Sequence, residues 1–270
     1  MQLIPFKKIR KLAEDRKGGS DALDALLAQS YHRMLTPKQL GKLGDDRYLA
    51  MMTRCVFNSG FNWKVVEHMW KGFEEAFHGF NPKGLAHLAP EKWDAYVEDR
   101  RIVRHAKKIR SVLDNAHFVW NTAEEHGSFG KHFAGWPAND QIGLMHWLKK
   151  EGGRLGGSTA MYFIRSIGRD GFILSLDVVT RLRASGVEIA EHPTSKRDLN
   201  LAQDAFNRWH DETGLSYTEL SRTLGMSVGA NYGAAAVGDD ESTTKPGSPE
   251  PRATKRPAAK LNATKPRTRP

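Results

Sequence analysis

Trp63, Val66, Trp70, Phe73 and Phe77 stand three, four, three and four residues apart. That is the period of one helix face, and Asn62 precedes it as a cap. The same period recurs in residues 102–120 (Ile102, Ile109, Leu113, Ala116, Trp120), from Asp140 through Ile142, Met145 and Leu148, and in Leu201, Ala205 and Trp209. Tyr217, Leu220 and Leu224 repeat it once more. Pro37, Pro82 and Pro90 mark three further helix starts, because a first-turn proline lacks only an N–H that has no partner there. No segment alternates polar and apolar residues between hairpin turns, and residues 172–174 are extended in character but too short to count as a strand. The expected class is all-α, with many middling helices joined by short turns.

A chain of 270 residues suffices for one large domain or two small ones sharing a core. Hydrophobic residues make up only 39%, and residues 233–270 account for the deficit. That segment holds eight basic and four acidic residues, and Val237 and Leu261 are its only apolar side chains larger than Ala apart from proline. It cannot bury enough surface to offset ordering, so a disordered basic tail is expected, attracting phosphates or simply solvated. Residues 1–19 read as a basic leading segment and residues 20–232 as the helical domain. No apolar run is long enough to span a bilayer, and the basic start has no signal-peptide core. Cys55 is the single cysteine, which excludes an internal disulfide and any site needing two thiolates. With a formal charge of +10, a soluble cytoplasmic protein with a polyanionic partner is expected.

Residues 152–160 read Gly-Gly-Arg-Leu-Gly-Gly-Ser-Thr-Ala between two helical stretches. Glycine C-caps of an ordinary helix–helix turn explain this segment. So does a phosphate seat, in which Gly153, Arg154, Gly156, Gly157, Ser158 and Thr159 offer bare N–H groups and one cation at a helix start. Asp177 follows Ala160 by seventeen residues and opens another apolar helix, with Arg181 four positions on. An acid there caps or favours the helix start in any fold.

Together the hairpin and Asp177 resemble the helix–hairpin–helix DNA glycosylases, in which a Gly-x-x-Thr-Ala-like turn is followed by a catalytic Asp. The amino-terminal half resembles one branch, the 3-methyladenine DNA glycosylase I family. Asn58-Ser59-Gly60-Phe61-Asn62-Trp63 is similar to its Gln-Ala-Gly-Leu-Ser-Trp stretch. Residues 102–109 with Asn115-Ala116 are similar to its Ile-Ile-Arg-His-x-x-Lys-Ile…Asn-Ala helix. Residues 77–82 match its Phe-His-x-Phe-Asp-Pro link, and Tyr31-His32 its Tyr-His pair. The resemblance implies two helical lobes with a cleft between them, and hydrolysis of the N-glycosidic bond of an alkylated purine in double-stranded DNA.

Within that resemblance Asp177 is the catalytic carboxylate, and Tyr31, Trp63, Cys55 and Phe61 belong to the base pocket, with Trp70 along the same wall. Trp63 also begins the apolar stripe, where plain packing explains it equally. Aromatic faces suit a cationic alkylated base by roughly 0.5–2 kcal/mol per contact. Ser158 stands where glycosylase–lyases carry a Schiff-base Lys, which implies a monofunctional enzyme. Cys55 stands where the family has a base-reading Glu, and a thiol accepts hydrogen bonds poorly. A non-catalytic DNA-binding protein is the alternative. The family's zinc set finds only His32 here, and the eleven histidines are scattered, His78 and His87 or His126 and His132 lacking two-ligand helical spacing. His105 fits the basic face of residues 104–108 or a buried partner. No metal site is expected beyond a monovalent cation at the hairpin, and the protein is expected to be a monomer.

Overall fold

The structure, a computed structural model, describes residues 3–31 and 34–228. The chain runs through α1 Phe6–Lys17, α2 Ser20–Tyr31, α3 Pro37–Leu40, α4 Asp45–Asn58, α5 Trp63–His68 and α6 Trp70–Ala76. After a 3-10 turn His78–Phe80 come α7 Pro82–Ala86, α8 Pro90–Ala95, α9 Ala106–His126, α10 Phe129–Gly135 and α11 Gln141–Glu151. It ends with α12 Ser158–Ser166, α13 Leu176–Ala184, α14 Lys196–Thr213 and α15 Tyr217–Met226. There is no strand among the described residues, so the all-α expectation holds.

Two groups of helices form around one large core, with a small separate cluster of Ala13, Leu23 and Leu27 between α1 and α2. In one, the 21-residue α9 carries α4, α7 and α10, with α3 against α10. In the other, α15 packs on α1, α2, α13 and α14. Helices α11 and α12 lie between the groups: α11 touches both α12 and α14, and α12 also packs on α4.

The proline starts occur as the sequence predicts. Thr36 and Gln39 form a reciprocal capping box ahead of α3, and Asn81 accepts from Gly84 N–H ahead of α7. The stripe from Trp63 to Phe77 is divided. Met69, at φ −87° and ψ 0°, closes α5 and opens α6. Val66, Phe73 and Phe77 are fully buried, whereas half-buried Trp63 is not among the side chains packed on the core. The helix expected from residue 102 begins at residue 106. His105 has extended backbone, and its Nδ1 accepts the Lys108 N–H at 3.3 Å, which makes it the cap.

Most of the basic leading segment folds as α1. Phe6, Ile9 and Ala13, three and four residues apart in a basic run, are all buried. Phe6 N–H donates to the Glu212 carboxylate at 3.0 Å, and Trp209 Nε1 donates to Ile4 O at 3.0 Å, stitching α1 to α14. Burying Phe6 and Ile9 is worth about 1.5–3 kcal/mol each. The tail 233–270 and His32 lie outside the described residues.

Candidate functional site

The turn between α11 and α12 is built against α9. Gly153 N–H donates to Asn115 Oδ1 at 2.8 Å, and Asn115 Nδ2 donates to Gly153 O at 3.1 Å. A Cβ on Gly153 would stand 2.9 Å from the Asp114 Cβ, so only glycine permits this approach. Leu155 is fully buried beneath the turn. Gly157, at φ 57° and ψ −133°, occupies a conformation that only glycine adopts without strain. It offers no side-chain cap to α12, and the first-turn amides of Ser158, Thr159 and Ala160 have no intrahelical acceptor. Arg154 is exposed and left-handed at φ 62°. These three first-turn amides and one guanidinium thus share one turn, a geometry suited to a phosphate oxygen.

Beside the turn lies a cleft of about 280 Å³, lined by Val56, Ser59, Arg154, Gly156 and Thr159. It joins the hairpin to the end of α4. Behind it Lys108, 3% exposed, donates from Nζ to Phe57 O at 3.0 Å and Ser59 O at 2.6 Å. The same ammonium lies 4.2 Å from the Phe61 ring centroid. Burial, and then the Arg154 guanidinium, push the Lys108 pKa down to about 8. Phe61 itself is exposed and stands edge-on to His105 at 5.8 Å.

The other aromatic and thiol residues singled out from the sequence distribute differently. Trp63 begins α5, its ring 5.7 Å from Lys64 Nζ, and does not line the hairpin cleft. Trp70 is a packing residue rather than a cleft wall: it stacks on Phe73 and Phe80, both at 5.5 Å, because α6 turns that face inward. Cys55 lies in the core with a hydrogen bond to Ser166 of α12, and burial holds its thiol up at about 12. It sits next to the lining residue Val56 but does not itself line the cleft. Tyr31 ends α2, and its side chain is outside the described residues.

Asp177 is half-buried in the first turn of α13, but it is not the cap: Ser175 Oγ accepts the Val178 N–H. No hydrogen bond or ion pair holds its carboxylate among the described residues, and Lys17 at the end of α1 feels its charge. The segment leading to it is extended and buried, so its backbone needs partners. Side chains supply them. Gln141 bonds both Phe172 N–H and Phe172 O, while Thr218 and Ser221 of α15 each bond both backbone groups of Gly171 and Ile173. Asp170 in turn accepts the first amides of α15 from Tyr217 and Thr218. The sequence reading missed these ties, although Thr218 and Ser221, three apart on one helix face, were visible as polar residues inside an apolar stripe.

The His126 and His132 rings stack at 4.0 Å, beside Trp136 and Trp147. Among the described residues no three His, Cys, Asp or Glu side chains gather to hold a metal ion. No helix there is long and apolar enough to cross a membrane.

Residues 27–149 match the family model described as methyladenine glycosylase. The DNA-3-methyladenine glycosylase of Haemophilus influenzae is 31% identical over 81 residues, 29% of this chain and 44% of that protein. DNA-3-methyladenine glycosylase 1 of Escherichia coli is 31% identical over 58 residues, 22% of this chain and 31% of that protein. The match thus spans less than half the length of either relative. Among solved structures, the 8-oxoguanine DNA glycosylase of Methanocaldococcus jannaschii shares the fold with a TM-score of 0.50, at 15% identity over 81% of this chain and 91% of that one. The resemblance to the methyladenine glycosylase family is borne out over the matched segment. The hairpin and Asp177 lie just beyond it.

Proposed function

We propose that this chain is a monofunctional DNA glycosylase that hydrolyses the N-glycosidic bond of an alkylated purine, a 3-methyladenine-like base, in double-stranded DNA. The observation that carries the reading is the hairpin of residues 152–157, clamped on α9 by Asn115 and sharing a cleft with the end of α4. The family match covers the end of α4 and the turn at Ser59, which form the other side of that cleft, and α9, on which the hairpin is clamped.

In this reading the hairpin amides and Arg154 hold phosphates and contact no base edge, so they position without selecting sequence. The target nucleotide is extruded, and the aromatic faces of Phe61 and Trp63 meet its cationic base. Water adds at the sugar C1′ and loses a proton to solvent as the bond to the base breaks, and the cationic base leaves neutral with the bonding electrons. Positive charge builds on the sugar in between, and the Asp177 carboxylate stabilises that charge or orients the water. Ser158 cannot form the Schiff base that a Lys there would, so the sugar–phosphate backbone stays intact. No step depends on a cofactor. A monovalent cation at the hairpin would use its carbonyl oxygens, of which that of Gly153 already accepts from Asn115.

The test is base release from duplex oligonucleotides carrying 3-methyladenine and other alkylated purines, followed by detection of the abasic product. Free base with an intact strand is the expected result. One observation favours a second reading: Cys55, where the family resemblance calls for a base-reading Glu, is a buried neutral thiol. Tight duplex binding without release of any of these bases would support a DNA-binding protein that has lost catalysis.

A further inference from the structure

We propose that Lys108 is a positioning residue that couples the hairpin's hold on a phosphate to the α4–α5 turn: a phosphate seated against Arg154 relieves its repulsion of Lys108 and tightens the grip of Lys108 on that turn. The inference rests on the hairpin being a phosphate seat.

The geometry is specific. Lys108 reaches from the first turn of α9 to the last carbonyls of α4, those of Phe57 and Ser59. Helix-end carbonyls lack intrahelical donors, and an ammonium there satisfies them and suits the helix dipole. Residues 58–62, which follow directly, carry Phe61 and lead into Trp63, and none of them is charged. The ammonium therefore sets the exit direction of the segment that presents both candidate base-facing rings.

The charged surroundings of Lys108 are one-sided. On its own helix, His105 Nδ1 accepts its backbone N–H. On α4 and α5, Arg54 is paired with Glu67, Lys64 lies over Trp63, and the Cys55 thiol is held neutral by burial. From the hairpin comes Arg154, a like charge that lines one cleft with Ser59, whose carbonyl the Lys108 ammonium holds at 2.6 Å. No carboxylate pairs with Lys108 among the described residues, so its proton is held weakly and Arg154 weakens it further. An anion on Arg154 removes that penalty, and by linkage the proton on Lys108 must in turn favour the anion.

The experiment follows the side-chain Cε resonance of Lys108 in the full chain by NMR through a pH titration, with and without an undamaged DNA duplex. The expected midpoint without DNA is near 8, moving upward when the duplex is added. Arg154→Ala should also move it upward without any DNA. Duplex affinity should weaken roughly threefold to tenfold from about pH 7 to about pH 9, and Lys108→Arg, which keeps its charge throughout, should lose that slope. A duplex that binds without moving the Lys108 midpoint overturns the coupling and leaves the phosphate seat standing. A midpoint unmoved by Arg154→Ala overturns it as well. No duplex binding at all removes both. The wild-type titration decides the matter even if Lys108→Arg does not fold.

Discussion

Asn115 holds both backbone groups of Gly153 at once, accepting its N–H at 2.8 Å and donating to its carbonyl at 3.1 Å. Asn115 is fully buried in the middle of α9, so the hairpin is fastened to the most central helix by one side chain. Asn115→Ala should leave both Gly153 groups without those partners. The expected cost is about 1–3 kcal/mol in thermal or denaturant unfolding. Duplex affinity should fall by more than that stability loss explains, since the turn loses its fixed shape. An unchanged affinity with lowered stability would mean that the hairpin does not bind DNA.

Gly157 and Gly153 make different demands, and their alanine variants should separate them. A Cβ on Gly157 meets nothing within 4 Å, so Gly157→Ala is penalised only through its backbone conformation, by roughly 1–3 kcal/mol. Gly153→Ala drives a methyl into Asp114 and Ser111 and should spread the hairpin from α9. Both should lower the melting temperature, and crystal structures of the variants should show a shifted turn only in the second.

Asp177→Asn should abolish most base release from an alkylated duplex, by a hundredfold or more, on the order of 3 kcal/mol in the barrier. Binding should be nearly unaffected, because a carboxylate near the sugar matters most when charge develops there. Stability should barely move, because Ser175 and not Asp177 caps α13. Single-turnover kinetics on a confirmed substrate measure this, and release at the wild-type rate would remove Asp177 from the mechanism.

Lys108 also makes stability depend on pH without DNA. Its folded pKa, near 8, lies below the ordinary lysine value, so from about pH 8 to about pH 10 the unfolded chain binds more protons than the folded one. Its contribution is therefore unfavourable below pH 8 and is relieved as the pH rises through that window. Relative to Lys108→Met, wild-type stability should climb over this range in denaturant titrations. A flat difference between the two proteins would show that the ammonium is not held back by its surroundings.

Much of the fold was legible one segment at a time. A three-and-four spacing of apolar residues, a capping Asn or Asp and a first-turn proline are local signals, and helices start where they point. The local reading failed where a cap or a kink broke the period, and where only a distant partner covered an apolar face. His105 moved the start of α9 by using its ring on Lys108 N–H, and Met69 divided the Trp63 stripe. The buried apolar residues of the basic amino-terminal run became visible only once Trp209 and Glu212 stood beside them.

The candidate site divides in the same way. Glycine spacing alone determined that residues 152–157 turn, since four glycines and one arginine can close such a loop and few other sequences can. The order of Asp177 after the hairpin was likewise set in the sequence. Only the tertiary structure decided that Asn115 clamps the turn from 38 residues away, that Cys55 lies in the core, and that Lys108 donates to the carbonyls at the end of α4. Helix periodicity says which face of a segment is apolar but not which neighbour covers it. Hydrogen bonds to backbone carbonyls and repulsion between two cations depend on that neighbour, and they arise when separate helices close on one another.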